Sequence, residues 1–293
     1  MDKRKMIFRA AALAGAAAFC RSRYEINHIK AVEYKLYSKK LPEKTGVKIV
    51  FLCDLHCRSY GEGNIELLRL VRAQDPDFIL TGGDMITASK GNAQEDLKVM
   101  KLLRALAKIA PVYCAMGNHE EYLKCEKRRF GDRFEKIKEF LEREGILLLQ
   151  NGHVDLKNNI SVYGLEISRK YYRRFSRKSP KSEHMEKYLG RPDPERYNIL
   201  LAHHPAFFDA YEAWKPDLVL SGHYHGGVLR LPLLGGVVSP DLRLFPAHCA
   251  GRFKKNETEH IVSAGCGSHS INIRLFNMPE VLAIELSSET ELI

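Results

Sequence analysis

The chain has 293 residues, 45% hydrophobic and 28% charged, enough apolar material for one large buried core and too much for a disordered chain. Its 46 basic and 36 acidic residues leave a net charge of +10, concentrated in Lys3, Arg4, Lys5 and Arg9 and in the stretch 169–181, which holds seven cations and no acid. That distribution argues against a uniformly basic nucleic-acid binder, and seven cysteines with no C-x-x-C pair indicate neither a disulfide framework nor a zinc ribbon but a reducing compartment.

Residues 1–23 form a unit of their own: a basic start followed by the apolar run Ala10 to Cys20. The run is too short to span a bilayer as a helix without help. Lys3-Arg4 ahead of Met6-Ile7 is similar to a twin-arginine export signal with one arginine replaced by lysine. A signal or anchor and an Ala-rich helix lying on a surface both fit the segment.

No linker or repeat interrupts the chain from residue 45 to 290, which reads as one α/β domain. Val47–Cys53 is rich in β-branched residues and too short for a buried helix, so a buried strand is expected there. The same pattern predicts strands at 77–81, 111–116, 146–149, 160–165, 197–202, 217–220, 260–264, 271–275 and 281–286. Helical periodicity separates several of them, around Ile65 to Val71, from Ala93 to Ile109 and from Phe134 to Glu144. Cys53 and Cys114 lie inside apolar runs, as small buried hydrophobes do.

The informative residues follow the strands. Asp54-Leu55-His56 comes after the first, Gly82-Gly83-Asp84 after the second, Gly117-Asn118-His119-Glu120 after the third, His203-His204-Pro205 later, and Gly222-His223-Tyr224-His225 last. Carboxyl ends of strands gather at one sheet edge, where ligands bind. Asp54, His56, Asp84, Asn118, His203, His223 and His225 offer oxygen and imidazole nitrogen without thiolate, a set suited to Mn, Fe or Zn. These are too many donors for one tetrahedral ion, but two ions about 3.5 to 4 Å apart, sharing a carboxylate, would use them all. The glycines allow the bends that aim these side chains. The remaining histidines, His28, His153, His184, His248, His260 and His269, have no motif partners and receive no role.

Together the motifs D-L-H, G-G-D, G-N-H-E, H-H-P and G-H-Y-H, spread over residues 47–286, resemble the calcineurin-like metallophosphoesterase superfamily. The resemblance implies a four-layer α/β/β/α sandwich of two mixed sheets. It implies two divalent transition-metal ions, manganese foremost, with Asp54, His56 and His225 on one, Asn118, His203 and His223 on the other, and Asp84 between them. His203 is preferred to His204 as a ligand because the superfamily's histidine stands two residues before the proline. His119 matches the histidine that assists the leaving oxygen, while a metal-bridging hydroxide attacks the phosphoryl group in line. Two divalent ions, two aspartates and a hydroxide leave a net positive charge, which favours an anionic substrate. Where protein phosphatases of the superfamily carry an Asp followed by Arg and Gly, this chain has Thr87 and Ala88. That departure removes a phosphate-gripping arginine, argues against a protein Ser/Thr phosphatase, and leaves Glu120 as a candidate to orient His119.

The tail, through Ile273-Arg274-Leu275-Phe276-Asn277, is similar to small bacterial phosphoesterases that carry an export signal or membrane anchor, whose wider group includes hydrolases of lipid-linked nucleotide sugars. A phosphorylated small molecule or a lipid-linked substrate is therefore expected. The stretch 168–181 alternates cations with Tyr171, Tyr172 and Phe175 and suits a solvated loop, an anionic membrane surface or a nucleic acid. Arg173 and Arg174 there, and His204 lining the site, are candidate substrate contacts. Membrane association at the cytoplasmic face is the expected location, with twin-arginine-like export the alternative. A nuclease or nucleotide phosphodiesterase of the same mechanism is the second enzyme reading, and a catalytically silent membrane-bound scaffold the non-enzyme one.

Overall fold

The computed structural model describes residues 3–89, 93–172, 179–227, 230–231, 235–237, 244–268 and 272–288. Helix α1 (Lys3–Asn27) leads into β1 (Lys30–Tyr37), β2 (Gly46–Leu52), α2 (Ile65–Ala73), β3 (Phe78–Thr81), α3 (Ala93–Ala107) and β4 (Val112–Cys114). Three helices, α4 (Asn118–Cys125), α5 (Lys127–Phe130) and α6 (Arg133–Arg143), precede β5 (Leu147–Leu148), β6 (Gly152–Leu156) and β7 (Ile160–Gly164). The chain continues through α7 (Ser182–Leu189), β8 (Tyr197–Leu201), α8 (Phe208–Ala213) and β9 (Leu218–Ser221) to the short pair β10 (Arg230–Leu231) and β11 (Gly235–Gly236). It then forms β12 (Gly251–Lys255), β13 (Thr258–Val262) and β14 (Glu280–Ser287).

Two six-stranded mixed sheets result, ordered β1-β14-β2-β3-β4-β5 and β12-β13-β9-β8-β7-β6. Strands β2 to β5 run parallel, as do β7, β8, β9 and β13, while β14 is antiparallel to β2 and parallel to β1. Alternation along β2 shows why the layers form. Val47, Ile49 and Phe51 face Ile160, Val162, Ile199, Leu201, Leu218, Leu220 and Ile261 of the other sheet. Val50 and Leu52 point the opposite way, into a second core under α2, α3 and α6 that includes Leu67, Val71, Leu102, Leu106 and Phe140. On the far sheet's outer face, Tyr163, Leu200 and Val219 pack under α7 and α8 through Met185, Leu189, Phe208 and Tyr211. Strands buried on both faces read as continuous apolar runs, which is how β2, β3, β8 and β9 look in sequence. The four-layer α/β/β/α sandwich of two mixed sheets is the architecture observed.

Strands β1, β6 and β12 of the two large sheets, like the separate short pair β10 and β11, are additional to those expected, and β1 puts the start of its sheet at Lys30, ahead of residue 45. Strands β1, β6 and β12 lie at sheet edges and carry exposed charges (KAVEYKLY, GHVDL, GRFKK), so no apolar run announces them. The strand expected at 271–275 is not formed by its described residues: 272–274 are irregular and Leu275 makes only an isolated bridge, while Arg274 is fully buried there and donates to backbone carbonyls of other loops. Helix α1 extends past residue 23 to Asn27. All seven cysteines are free, and burial pushes the Cys57 thiol up to about 11 and the Cys114 thiol up to about 12, away from nucleophilic use at neutral pH.

Candidate active site

Five loops at carboxyl ends of strands converge between the two sheets: those after β2, β3 and β4 from one sheet, and after β8 and β9 from the other. Three of them, after β2, β3 and β9, are sharp bends. Asp54, His56, Asp84, His223 and His225 all adopt left-handed backbone conformations, with φ of 52°, 49°, 52°, 67° and 51°. For non-glycine residues this conformation costs about 1 kcal/mol or more apiece and persists only where the surroundings enforce it. Backbone bonds between loops do so: Asp54 N–H donates to Gly83, His56 N–H to Asp84 and Gly222 N–H to His203, each at 3.0 Å. Two glycines are needed for close approach rather than for flexibility. A Cβ on Gly117 would collide with Asp84 Oδ1, and one on Gly222 with Asp54 Oδ2.

The donors fall into three overlapping groups, Asp54/His56/His225, His56/Asp84/His119 and Asp84/His203/His223, with the ligand atoms of each group within 4.8 Å of one another. Asp84 belongs to two of them. Its Oδ2 lies 3.2 Å from His203 Nε2, 3.9 Å from His56 Nε2 and 4.0 Å from His119 Nε2. His56 Nε2 and His225 Nε2 approach to 3.1 Å. His225 and His203 present Nε2 because Nδ1–H is given to the carbonyls of Gly267 (3.1 Å) and Gly82 (2.7 Å). Asp54 also accepts the His223 N–H, at 3.0 and 3.1 Å.

The electrostatics ask for cations. Burial would raise the Asp84 carboxyl, but the imidazoles of His203, His119 and His56 hold it well below the usual carboxylate range. Burial would lower His203, yet Asp84 and Asp54 push it up to about 10. A proton on His203 thus stands where the carboxylates call for positive charge. His223 is lowered well below the ordinary imidazole value by burial and by His204 and His203, and His225 is lowered by burial, so both are neutral donors. Asn118 Oδ1 is buried without a hydrogen-bond partner. Two carboxylates, several neutral imidazoles and an unsatisfied amide oxygen fit a pair of divalent transition-metal ions.

Glu120 does not orient His119. Its carboxylate accepts the N–H groups of Asp84 (2.8 Å), Met85 (3.0 Å) and Gly117 (2.9 Å), fastening the turn after β3 to the turn after β4. His119 is positioned instead by main chain: Ala88 N–H donates to its Nδ1 at 2.8 Å, and its own N–H donates to Asp84 Oδ1 at 2.8 Å. His204 is buried, accepts the Ala206 N–H on Nδ1 at 3.2 Å, and packs its ring 4.5 Å from that of His223, as a support beneath it. Arg173 and Arg174 lie outside the described residues.

A further layer of support escaped sequence reasoning. Asn277 Nδ2 donates to the carbonyls of His225 (2.6 Å) and Gly227 (2.7 Å), and Arg274 Nη2 donates to Gly267 (2.5 Å), the residue that receives His225 Nδ1–H. Both are in turn held by α1, through Glu25 Oε2 on Asn277 N–H (2.9 Å) and Ser22 Oγ on Arg274 N–H (3.2 Å). The only sequence signal was the I-R-L-F-N tail, which carries no local structural pattern.

Residues 47–227 match the family described as Calcineurin-like phosphoesterase. The chain belongs to this family. It is 30% identical over 246 residues to the phosphodiesterase YaeI of Escherichia coli, covering 82% of each chain. It is 27% identical over 247 residues to the metallophosphoesterase YkoQ of Bacillus subtilis (82% of this chain, 84% of YkoQ) and 28% identical over 278 residues to a metallophosphoesterase of Aquifex aeolicus (92% and 95%). Among solved structures, a dimetal phosphatase from Danio rerio aligns at a TM-score of 0.42 and 13% identity, over 75% of this chain and 87% of that one. The protein is a metal-dependent phosphoric ester hydrolase with a candidate metal site at the loop cluster.

Proposed function

We propose that this phosphoesterase hydrolyses a phosphodiester of a small or lipid-linked molecule with two divalent ions bound side by side. Asp54, His56 and His225 would hold one, Asn118, His203 and His223 the other, and Asp84 both. The observation that carries this reading is the position of Asp84, whose single carboxylate is shared by two donor groups. Bound there, such ions supply Lewis-acid activation of water and neutralise phosphoryl charge. The chain's own groups do the rest. Because Nδ1 of His119 accepts from Ala88, the neutral ring carries its proton on Nε2, on the side of Asp84, and presents that proton to the leaving oxygen. The turn at Thr87-Ala88 carries no arginine of its own, and the guanidinium beside it, Arg133, is taken up by Asp96 and the carbonyls of Thr87 and Ser89, which suits the single charge of a diester better than the double charge of a monoester. The name of YaeI points the same way.

Helix α1 supports action at an anionic membrane surface. Lys3, Arg4, Lys5 and Arg9 accompany the exposed Met6, Ile7, Phe8, Leu13 and Phe19, a mixture that binds lipid headgroups and the adjoining acyl region. Among the described residues no helix is long and apolar enough to cross a membrane.

The test is to strip the protein of metal, add back Mn, Fe or Zn singly, and follow hydrolysis of bis(p-nitrophenyl) phosphate and p-nitrophenyl phosphate beside metal analysis. Two ions per chain and faster diester cleavage are expected. Folded protein that takes up no transition metal would refute the two-ion reading, and a preference for the monoester would refute the diester assignment.

A further inference from the structure

The aromatic and cationic stretch beginning at Ser168 enters the structure as a short turn, Arg169–Tyr171, followed by Tyr172. Its first residues have ordinary structural partners. Arg169 pairs with Glu126 and lies over the Tyr122 ring at 4.3 Å, and Tyr171 meets the Phe207 ring edge-on at 5.8 Å.

Tyr172 differs. Its ring centre is 5.2 Å from that of His223, 5.5 Å from His204 and 6.2 Å from His203, against the Asp84/His203/His223 group of donors. Its hydroxyl oxygen is buried and has no hydrogen-bond partner among the described residues. Leaving a buried hydroxyl unsatisfied costs about 1 to 3 kcal/mol, so each instance in a folded protein calls for an explanation.

The neighbouring orphan has one: Asn118 Oδ1 offers its lone pairs to a cation. A phenol is different, because it brings a proton to be accepted. A phenol, whose ordinary pKa is about 10, is a hydrogen-bond donor at neutral pH. What the position lacks is an acceptor, and an anionic oxygen is the strongest kind.

We propose that the Tyr172 hydroxyl binds substrate by donating a hydrogen bond to a nonbridging phosphoryl oxygen. The proposal rests on the phosphoesterase reading above and adds to it a contact that comes from neither the metal donors nor His119. Since the contact is to the phosphoryl group, its contribution is the same whatever alcohol the ester carries.

Tyr172→Phe in the metal-loaded protein tests it, with inorganic phosphate as the binding probe. The expected result is a fall in kcat/KM of about 10- to 100-fold, the range for a hydrogen bond to a charged group, of equal size for an aryl and an alkyl diester. Inhibition by phosphate should weaken by a similar factor, with two ions per chain retained. The phosphate-free variant should melt no lower than the parent, since the lost hydroxyl had no partner, and phosphate should raise its melting temperature less. Parental kcat/KM and parental phosphate inhibition in the variant would overturn the proposal. So would a lowered melting temperature with phosphate affinity intact, which marks a structural role. If the parent protein, loaded with metal, neither cleaves a phosphoester nor binds phosphate, the phosphoesterase reading fails and this proposal falls with it.

Discussion

Glu120 is buried, and four backbone N–H groups converge on its carboxylate: those of Asp84, Met85 and Gly117 at 2.8 to 3.0 Å, and more distantly that of Ile86 at 3.4 Å. Glu120→Ala leaves the three close donors without that acceptor, two of them in the turn that presents Asp84. Removing an acceptor from a buried donor costs about 1 to 3 kcal/mol, and bonds to a charged group lie in the upper part of that range. Burial and the charge of Asp84 raise the Glu120 pKa, so relief of that unfavourable placement offsets part of the loss. Taking the lower bound for each of the three bonds gives a destabilisation of about 3 kcal/mol. Urea unfolding of metal-free protein measures it, and metal analysis should show incomplete loading in the same variant because the Asp84 turn is no longer fixed. Glu120→Gln, which keeps one acceptor oxygen, should fall between. A loss below about 1 kcal/mol with full metal loading would refute the clamp argument.

Three other outcomes are expected. Asp84→Asn should reduce metal content and turnover together, whereas His119→Ala should keep both ions and slow turnover by about 10²- to 10⁴-fold, as removal of a proton-transfer group does; a His119→Ala protein with undiminished rate on a poor leaving group would remove that assignment. In metal-free protein the raised His203 pKa favours the folded state fully below pH 6.5, and this stabilisation is lost as pH rises through about 10. Metal uptake at neutral pH should accordingly release a proton from His203, and calorimetry giving the same binding enthalpy in buffers of different ionisation heat would contradict it. Gly222→Ala should drive Asp54 from its position and weaken binding at the Asp54/His56/His225 group, read as a raised metal dissociation constant.

The central strands and the ligand loops were legible for one physical reason: both are dictated by residues adjacent in sequence. A strand buried on two faces must be apolar throughout, and a bend that aims a ligand must follow it directly, as at Cys53-Asp54 and Ser221-Gly222-His223. Edge strands such as β12 bury one face and spend the other on charges, so they resemble loops. Glu120 was misread because adjacency suggests shared purpose with His119. On a helix, though, successive side chains diverge by about 100°, and Glu120 turns back to the backbone of the preceding loops. Asn277 and Arg274 act on carbonyls in other loops, across as many as 52 residues, and a side chain that binds main chain puts no constraint on the identity of its partner. Their roles could be found only in three dimensions.

Helix α1 divides into two parts of different mechanical character. Most of its length stands exposed, a rod whose residues 3–20 span about 27 Å at the usual helical rise. Its last two turns, with Ser22, Glu25 and Ile26, are embedded in the catalytic body. The joint between rod and body is therefore the place where the helix could be shortened without touching the site. A chain trimmed to residue 20 retains every contact to Arg274 and Asn277. One trimmed past Glu25 surrenders the carboxylate that accepts the Asn277 N–H, and with it one support of the loop behind His225.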